Sequence, residues 1–272
     1  MDGPGALVVC PTPIGNLADV TLRVLDELRR ADAAACEDTR HSRKLLVRHG
    51  IDLPLLPLHE HNERAQAPAL VARIERGERL CLLTDAGTPA VSDPGSRLIA
   101  AAIAAGVEVV VLPGPSAVTA ALVASGMSGG GFAFAGFLPR GAGAIAALLD
   151  RLDAAGLPVV VFESPRRLPA TLAALAARDP DRGVAICREL TKVHEEVTRG
   201  TAAELAARFH EPPRGEVTLV LAAAAGSAAP IPDASVLAEL AGALGARRAA
   251  ALAAALTGAP RNAIYAELTK GR

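Results

Sequence analysis

The sequence predicts an α/β protein built as two successive α/β domains followed by a small C-terminal helical module. Three features predict it. Short β-rich runs alternate with Ala/Leu/Arg segments whose apolar residues recur three or four apart, the mark of strands layered against helices. The strand-like runs lack polar alternation, as expected of a mostly parallel sheet covered on both faces. A strong breaker, Pro113-Gly114-Pro115, interrupts the series, and a second strand–helix set follows it.

In chain order, strands are expected at Leu7–Cys10, Ala33–Glu37, Leu55–Leu58, Leu80–Thr84 and Val107–Leu112, with helices such as Leu22–Arg30 and Ala67–Arg76 in the gaps. Ser116 can cap a helix running towards Ala124. The second set has strands at Phe132–Ala135, Val159–Glu163, Val184–Arg188 and Val217–Ala222, and Thr201 with Glu204 forms a capping-box pattern before the last of these. Gly226–Pro232 reads as a linker. Beyond it, two Ala/Leu-rich helical patterns flank Thr257-Gly258-Ala259-Pro260, where Pro260 suits a first helical turn; the arrangement is a helix-turn-helix or a plain helical hairpin. The domains are therefore placed at 1–113, 114–226 and 227–272.

Composition narrows the function. Hydrophobic residues make up 51% of the 272 and aromatics only 2%, so the core must be layered from Ala, Val, Leu and Ile. The longest apolar candidate, Leu98–Leu112, contains Gly106 and Glu108 and falls short of the roughly 18 to 20 uncharged residues of a membrane span. Met1–Gly5 lacks the basic region of a secretory signal, which points to the cytoplasm. Cys10, Cys36, Cys81 and Cys187 lie far apart in apolar runs, as buried reduced thiols do. No thiol cluster for zinc is present, and the close pair His59 and His61 lacks a third ligand nearby, so no metal is expected. The net charge of −1 names no partner, but Arg40, Arg43, Lys44 and Arg48 fall within ten residues that contain no acid.

Chemistry concentrates in three Gly/Pro-rich turns at the carboxyl ends of expected strands, where an open α/β sheet binds its ligand. They are Pro11-Thr12-Pro13-Ile14-Gly15-Asn16-Leu17, Asp85-Ala86-Gly87-Thr88-Pro89 running on to Ser92-Asp93-Pro94-Gly95, and Pro113-Gly114-Pro115-Ser116-Ala117. None has the spacing of a dinucleotide or Walker-type loop. Such turns let backbone N–H and C=O groups approach a small polar ligand, and Asp85 can accept from an amine or from ribose hydroxyls. S-adenosylmethionine offers those groups and needs no metal. Taken singly, each turn is more readily an ordinary structural one than a ligand loop.

Several further runs accompany these turns: Glu37-Asp38-Thr39-Arg40, Gly136-Phe137-Leu138-Pro139-Arg140, Phe162-Glu163-Ser164-Pro165-Arg166-Arg167 and Arg188-Glu189-Leu190-Thr191-Lys192. In this order, from Leu7 to about Leu221, the sequence resembles the 16S rRNA cytidine 2'-O-methyltransferases of the tetrapyrrole-methylase superfamily. Arg261-Asn262-Ala263-Ile264-Tyr265 resembles that family's C-terminal helical module. Relatives acting on tetrapyrroles carry a GxGPG-type turn after the first strand; Thr12–Leu17 replaces it here, which favours the RNA branch.

The resemblance implies two α/β domains with S-adenosylmethionine in the cleft between them, a homodimer, and 16S rRNA within the assembled 30S subunit as partner. It implies cofactor contacts from Asp85, Gly87, Thr88, Pro89 and Ser92, from Ser116 and Ala117, and from Phe162 and Leu190. Pro11, Gly215 and Glu216 are weaker additions. A ribose hydroxyl must lose its proton, and the candidates are Glu37, Asp38, Glu163, Glu189 and Lys192. Lys192 stands out because only three of the 28 basic residues are lysines and an arginine cannot act as a base; an ordinary ion pair with Glu189 or Glu195 is the competing role. Arg40, Arg43, Lys44, Arg166 and Arg167 would position RNA phosphates. A methyltransferase acting on a small molecule or a protein, and a DNA-binding regulator using the helical tail, are the alternative classes.

Overall fold

The computed structural model describes residues 5–224, 232–257, 259 and 261–269. Strands β1 (Ala6–Val9), β2 (Ala33–Cys36), β3 (Leu55–Pro57), β4 (Arg79–Leu83) and β5 (Glu108–Val111) form one sheet in the order β3-β2-β4-β1-β5. Every pairing in it is parallel. The residues of β1 and β2 are all buried, because helices cover both faces. Leu7 and Val9 pack with Leu70, Ile74 and Leu98, on α3 (Glu63–Glu75) and α4 (Ser96–Ala104). Val8 and Cys10 point the other way and pack with Val24, Leu28 and Leu46, on α1 (Leu22–Arg30) and α2 (Thr39–Arg48). The two-residue period of a strand thus divides one apolar run between two cores. Helix α5 (Ala117–Ser125) follows β5.

The second sheet orders β6 (Ala133–Phe137), β7 (Val159–Glu163), β8 (Gly183–Arg188), β9 (Glu196–Thr201) and β10 (Val217–Leu221) as β6-β7-β10-β8-β9. It is mixed: β6 runs parallel to β7 and β10 antiparallel to it. Helices α6 (Ala142–Asp153), α7 (Leu168–Arg178) and α8 (Ala202–Arg208) contribute to its core with Ile145, Leu149, Leu172 and Leu205. The capping box of Thr201 and Glu204 opens α8 as expected.

The expected strands are all present, with ends shifted by a residue or two. Two elements depart from the sequence reading. Helix α3 was expected from Ala67, next to Pro68, but begins at Glu63 and holds the proline inside it, its first turn fixed by Glu63 and Ala65 donating to the His59 and Asn62 carbonyls. Strand β9 was not expected, since Glu196-Val197-Thr198-Arg199-Gly200-Thr201 is polar; it lies at a sheet edge, where such residues are tolerated.

By packing, the chain divides into Met1–Ala124 with Cys187–Glu196, and Ser125–Ile186 with Val197–Arg272; the sequence reading set the junction at 113. The C-terminal helices α9 (Ala234–Leu244), α10 (Ala246–Thr257) and α11 (Arg261–Thr269) gather around Leu237, Ala250, Ala253 and Ile264. The expected linker falls mostly outside the described residues, as do Gly258 and Pro260. The four cysteines are buried free thiols. No described helix is long and apolar enough to cross a membrane.

Candidate active site

Because the first sheet is wholly parallel, the segments after β1, β2, β4 and β5 all leave from one edge, the ligand edge of an open α/β sheet. Hydrogen bonds join them. Thr12 and Gly87 exchange backbone hydrogen bonds at 2.8 and 3.0 Å, and the Thr12 hydroxyl donates to the Thr84 carbonyl at 3.0 Å. The Asp38 N–H donates to Asp85 Oδ1 at 3.1 Å. Thr88 Oγ1 donates to the Pro115 carbonyl at 3.4 Å. Gly87 sits at φ +83°, and a Cβ there would lie 3.6 Å from Ile14 Cγ2 and 3.9 Å from the Pro115 oxygen. The space is sufficient, but the left-handed conformation calls for glycine. Pro11 packs so closely on Gly114 that a Cβ there would come within 2.5 Å of the proline ring.

The β4 loop carries strain. Ala90 and Ser92 adopt φ of +68° and +65°, a conformation that non-glycine residues keep only where their surroundings impose it, and often at functional sites. The Thr84 hydroxyl donates to Asp93 Oδ2 at 2.6 Å. The buried Glu63 closes the loop: its Oε1 accepts from the N–H groups of Gly95, Arg97 and Leu98 at 3.0, 2.8 and 3.1 Å, a carboxylate at the positive end of α4. Sequence reasoning missed Glu63, because its partners are more than thirty residues away and no local pattern marks it.

The segment Cys187–Glu196 belongs with the same unit. Asn16 N–H donates to Thr191 Oγ1 at 3.0 Å. Gly15 is an apposition point, since a Cβ there would fall 2.5 Å from Lys192 Cγ and 2.7 Å from Thr191 Oγ1. Glu189 and Thr191 are left-handed, at φ +51° and +67°, Leu190 is buried, and Lys192 Nζ lies 2.8 Å from Glu189 Oε1. Pro11, Asp85, Gly87, Thr88, Pro89, Ser92, Ser116, Ala117, Leu190, Lys192 and Glu37 therefore all belong to one unit.

This edge is acidic. Burial, and then the charges of Asp85, Asp93 and Asp38, raise the Glu37 pKa above its ordinary value. Burial also raises that of Asp93, opposed by the Thr84 hydrogen bond and helped by Asp85. Asp38 is held down at about 2 by the Arg40 side chain and by backbone N–H groups. Glu37 accepts no hydrogen bond from a described residue, and Asp85 accepts only that of Asp38. Behind Asp38, Arg40, Arg43, Lys44 and Arg48 lie exposed on α2. Among the described residues no group of three or more His, Cys, Asp or Glu is arranged to hold a metal ion.

The remaining candidates lie in the second unit. Glu163 is buried and fully engaged: it accepts from the Ser164 N–H at 2.7 Å and the Thr171 hydroxyl at 2.5 Å and pairs with Arg167 Nε at 3.1 Å. Arg167 in turn donates to the Leu138 and Pro139 carbonyls at 2.6 and 2.9 Å. Both residues are thereby structural, which speaks against a proton-accepting role for one and a phosphate-binding role for the other. Phe162 meets Phe134 and Phe137 edge-on. Gly215 is left-handed at φ +94° before β10, and Arg166 and Glu216 are exposed.

The edge offers converging backbone groups, a carboxylate with one uncommitted oxygen, and glycine where backbone must come close, which suits a small polar ligand. The family described as Tetrapyrrole (Corrin/Porphyrin) Methylases matches residues 6–206, and the RsmI C-terminal HTH domain matches residues 227–270. A Mesorhizobium japonicum protein named ribosomal RNA small subunit methyltransferase I is 45% identical over 267 residues, 97% of this chain and 91% of its own. Its Thermotoga maritima namesake is 41% identical over 218 residues, 80% of this chain but 98% of its own. The crystal structure of uroporphyrin-III-C-methyltransferase from Thermus thermophilus matches 80% of this chain and 94% of its own with a TM-score of 0.56 at 21% identity, a likeness of fold alone.

Proposed function

Since the chain belongs to the tetrapyrrole methylases and, among them, to the ribosomal RNA small subunit methyltransferase I family, we propose that it methylates the 2'-oxygen of a cytidine ribose in 16S rRNA, using S-adenosylmethionine. The observation that carries this reading is the match to namesake relatives along 97% of the chain. The assembled 30S subunit is the favoured substrate, because a shaped surface can present one nucleotide. The protein would act in the cytoplasm, as the homodimer that the resemblance implies.

S-adenosylmethionine, when bound, supplies an electrophilic methyl group. The Asp85–Pro89 loop, with Pro11, Ser92, Ser116, Ala117 and Leu190, would hold it through backbone groups and through Asp85. Most of the rate then comes from orienting the hydroxyl for in-line attack. Glu37 is the group best suited to accept the hydroxyl proton as the oxygen–methyl bond forms: it is unengaged, it lies at the ligand edge, and burial, followed by its acidic neighbours, raises its basicity. Lys192, paired with Glu189, serves as a fixed cation, and α2 supplies charge for phosphates.

The test is to incubate the protein with methyl-labelled donor and 30S particles and digest the RNA to nucleosides. Label in 2'-O-methylcytidine is expected; label on a base, or on protein after RNase treatment, would overturn the proposal.

A further inference from the structure

Neither the donor loops nor the basic helix accounts for His59 and His61, yet the fold carries both to the same edge. Strand β3 lies beside β2, and the Leu58 N–H donates to the Cys36 carbonyl at 2.8 Å. In the β2–β3 register Cys36 pairs with Pro57, so His59 leaves β3 level with Asp38, one residue beyond Glu37, on the adjacent parallel strand. Glu63, four residues after His59, reaches Gly95, Arg97 and Leu98 and so ties the turn to the loop that carries Asp93. Inside the turn, Asn62 Oδ1 accepts the His59 N–H at 2.8 Å and Asn62 Nδ2 donates to the Pro57 carbonyl at 3.0 Å. The histidines are thus mounted on a braced turn.

His59 Nδ1 is buried and has no hydrogen-bond partner. The exposed His61 ring meets it edge-on, with centroids 6.0 Å apart. Leaving a buried polar atom unpaired carries a desolvation penalty, and folded proteins seldom do so without a reason such as a ligand. The other two orphaned atoms among the described residues, Ser42 Oγ and His49 Nε2, both belong to α2 or its C-cap.

The surroundings select the ligand. Glu37, Asp38, Asp85 and Asp93 crowd this edge, so an anion is disfavoured. An imidazole nitrogen that can donate or accept matches a neutral hydroxyl, which does both. We infer that the His59–His61 turn is a ribose-hydroxyl subsite, in which His59 Nδ1 hydrogen-bonds a sugar hydroxyl and positions it at the edge where Glu37 lies. The choice of a sugar rests on the proposed reaction, whose two substrates each carry one: the acceptor nucleotide and the adenosine of the donor. His59 is a positioning residue on this account, and Glu37 the group that touches the reacting proton.

The experiment compares His59→Ala, His59→Asn and His59→Gln in the full chain. Asparagine sets an amide near the place of Nδ1, glutamine near that of Nε2. Donor affinity is measured by calorimetry, 30S affinity by filter binding, and folding by thermal unfolding. His59→Ala should weaken one ligand roughly tenfold and spare the other, with His59→Asn restoring most of the loss and His59→Gln little. A loss confined to 30S particles assigns the acceptor ribose; one confined to S-adenosylmethionine assigns the donor ribose. Should the alanine variant unfold, the asparagine–glutamine contrast decides. Wild-type affinities in all three variants, or equal losses with asparagine and glutamine, would overturn the subsite. Absence of 2'-O-methylcytidine from wild-type reactions refutes only the proposed reaction, because the binding measurements still judge the subsite.

Discussion

The backbone N–H of Asp38 donates to the carboxylate of Asp85 at 3.1 Å, so the N-cap of the basic helix hangs on the side chain that heads the Asp85–Pro89 loop. Asp38 also caps α2, accepting from the Arg40 N–H at 2.8 Å and from its guanidinium at 3.0 and 3.2 Å. The Asp85–Pro89 loop and the basic helix thus share one hydrogen bond. Asp85→Ala is expected to weaken S-adenosylmethionine roughly tenfold or more, through the lost acceptor and the loosened loop. Asp85→Asn, which can still accept from Asp38, should fall between. Calorimetry decides, and adding a chelator should change neither value; unaltered affinity in Asp85→Ala would mean that this loop does not hold the donor.

Glu37 gives the reaction an expected pH dependence. Its raised pKa means that turnover falls on the acid side, as the carboxylate takes up a proton, and Glu37→Gln should abolish that limb while lowering kcat about a hundredfold. The stability effect has the opposite sign from that of a salt-bridged acid. A carboxyl whose folded pKa lies above its unfolded value binds more protons when folded, so its contribution is lost as pH rises from the unfolded to the folded pKa. Glu37→Gln should therefore be no less stable than wild type at neutral pH. Thermal unfolding beside the pH–rate profile separates lost chemistry from lost fold.

Glu163 should behave differently. Its three partners make it the knot that holds Arg167 against the Leu138 and Pro139 carbonyls. Removing one member of a buried ion pair leaves the other unpaired, so Glu163→Ala is expected to destabilise by about 3–5 kcal/mol. Turnover per folded molecule should be preserved in the milder Glu163→Gln. Urea denaturation with active-site titration checks both; a stable but inactive Glu163→Gln would restore this residue to the chemistry.

The outline of the fold was legible because the chain states it locally. Leu22–Arg30 has the helical period, and it folds as read; the runs around Val8 and Ala34 lack polar alternation, and they are buried on both faces. The three turns could be placed at one sheet edge from strand polarity alone. What closes the site was not legible. That Asp38 leans on Asp85, that Glu63 caps a helix elsewhere in the chain, and that Lys192 lies over Gly15 are tertiary facts at separations of 32 to 177 residues. Among the proton-acceptor candidates, composition drew attention to Lys192, whereas the burial and acidic neighbours of Glu37 are set by the fold.

The tail has its own small core of Leu237, Ala250, Ala253 and Ile264, and the Thermotoga namesake is matched almost completely by 80% of this chain. Removing 227–272 should leave donor affinity within about twofold and impair turnover on 30S particles. Calorimetry and initial rates on the truncated chain test this; equal loss of both would make the tail part of the catalytic fold.

The exposed face of α2 supports the last prediction. Arg43 and Lys44 are exposed, and unlike Arg40, which is paired with Asp38, they take part in no ion pair with a described residue. Phosphate contacts release counterions, each adding nearly one unit to the slope of log affinity against log salt. Reversing both charges, as Arg43→Glu with Lys44→Glu, should raise the apparent KM for 30S particles, flatten that slope by roughly two units and leave donor affinity unchanged. Arg40→Ala should do less to the slope, since its charge is already neutralised, but more to the start of α2. A salt titration of 30S binding measures both. A slope that the double reversal does not change would remove α2 from the RNA interface and return the search for phosphate contacts to Arg166 and the basic residues of the tail.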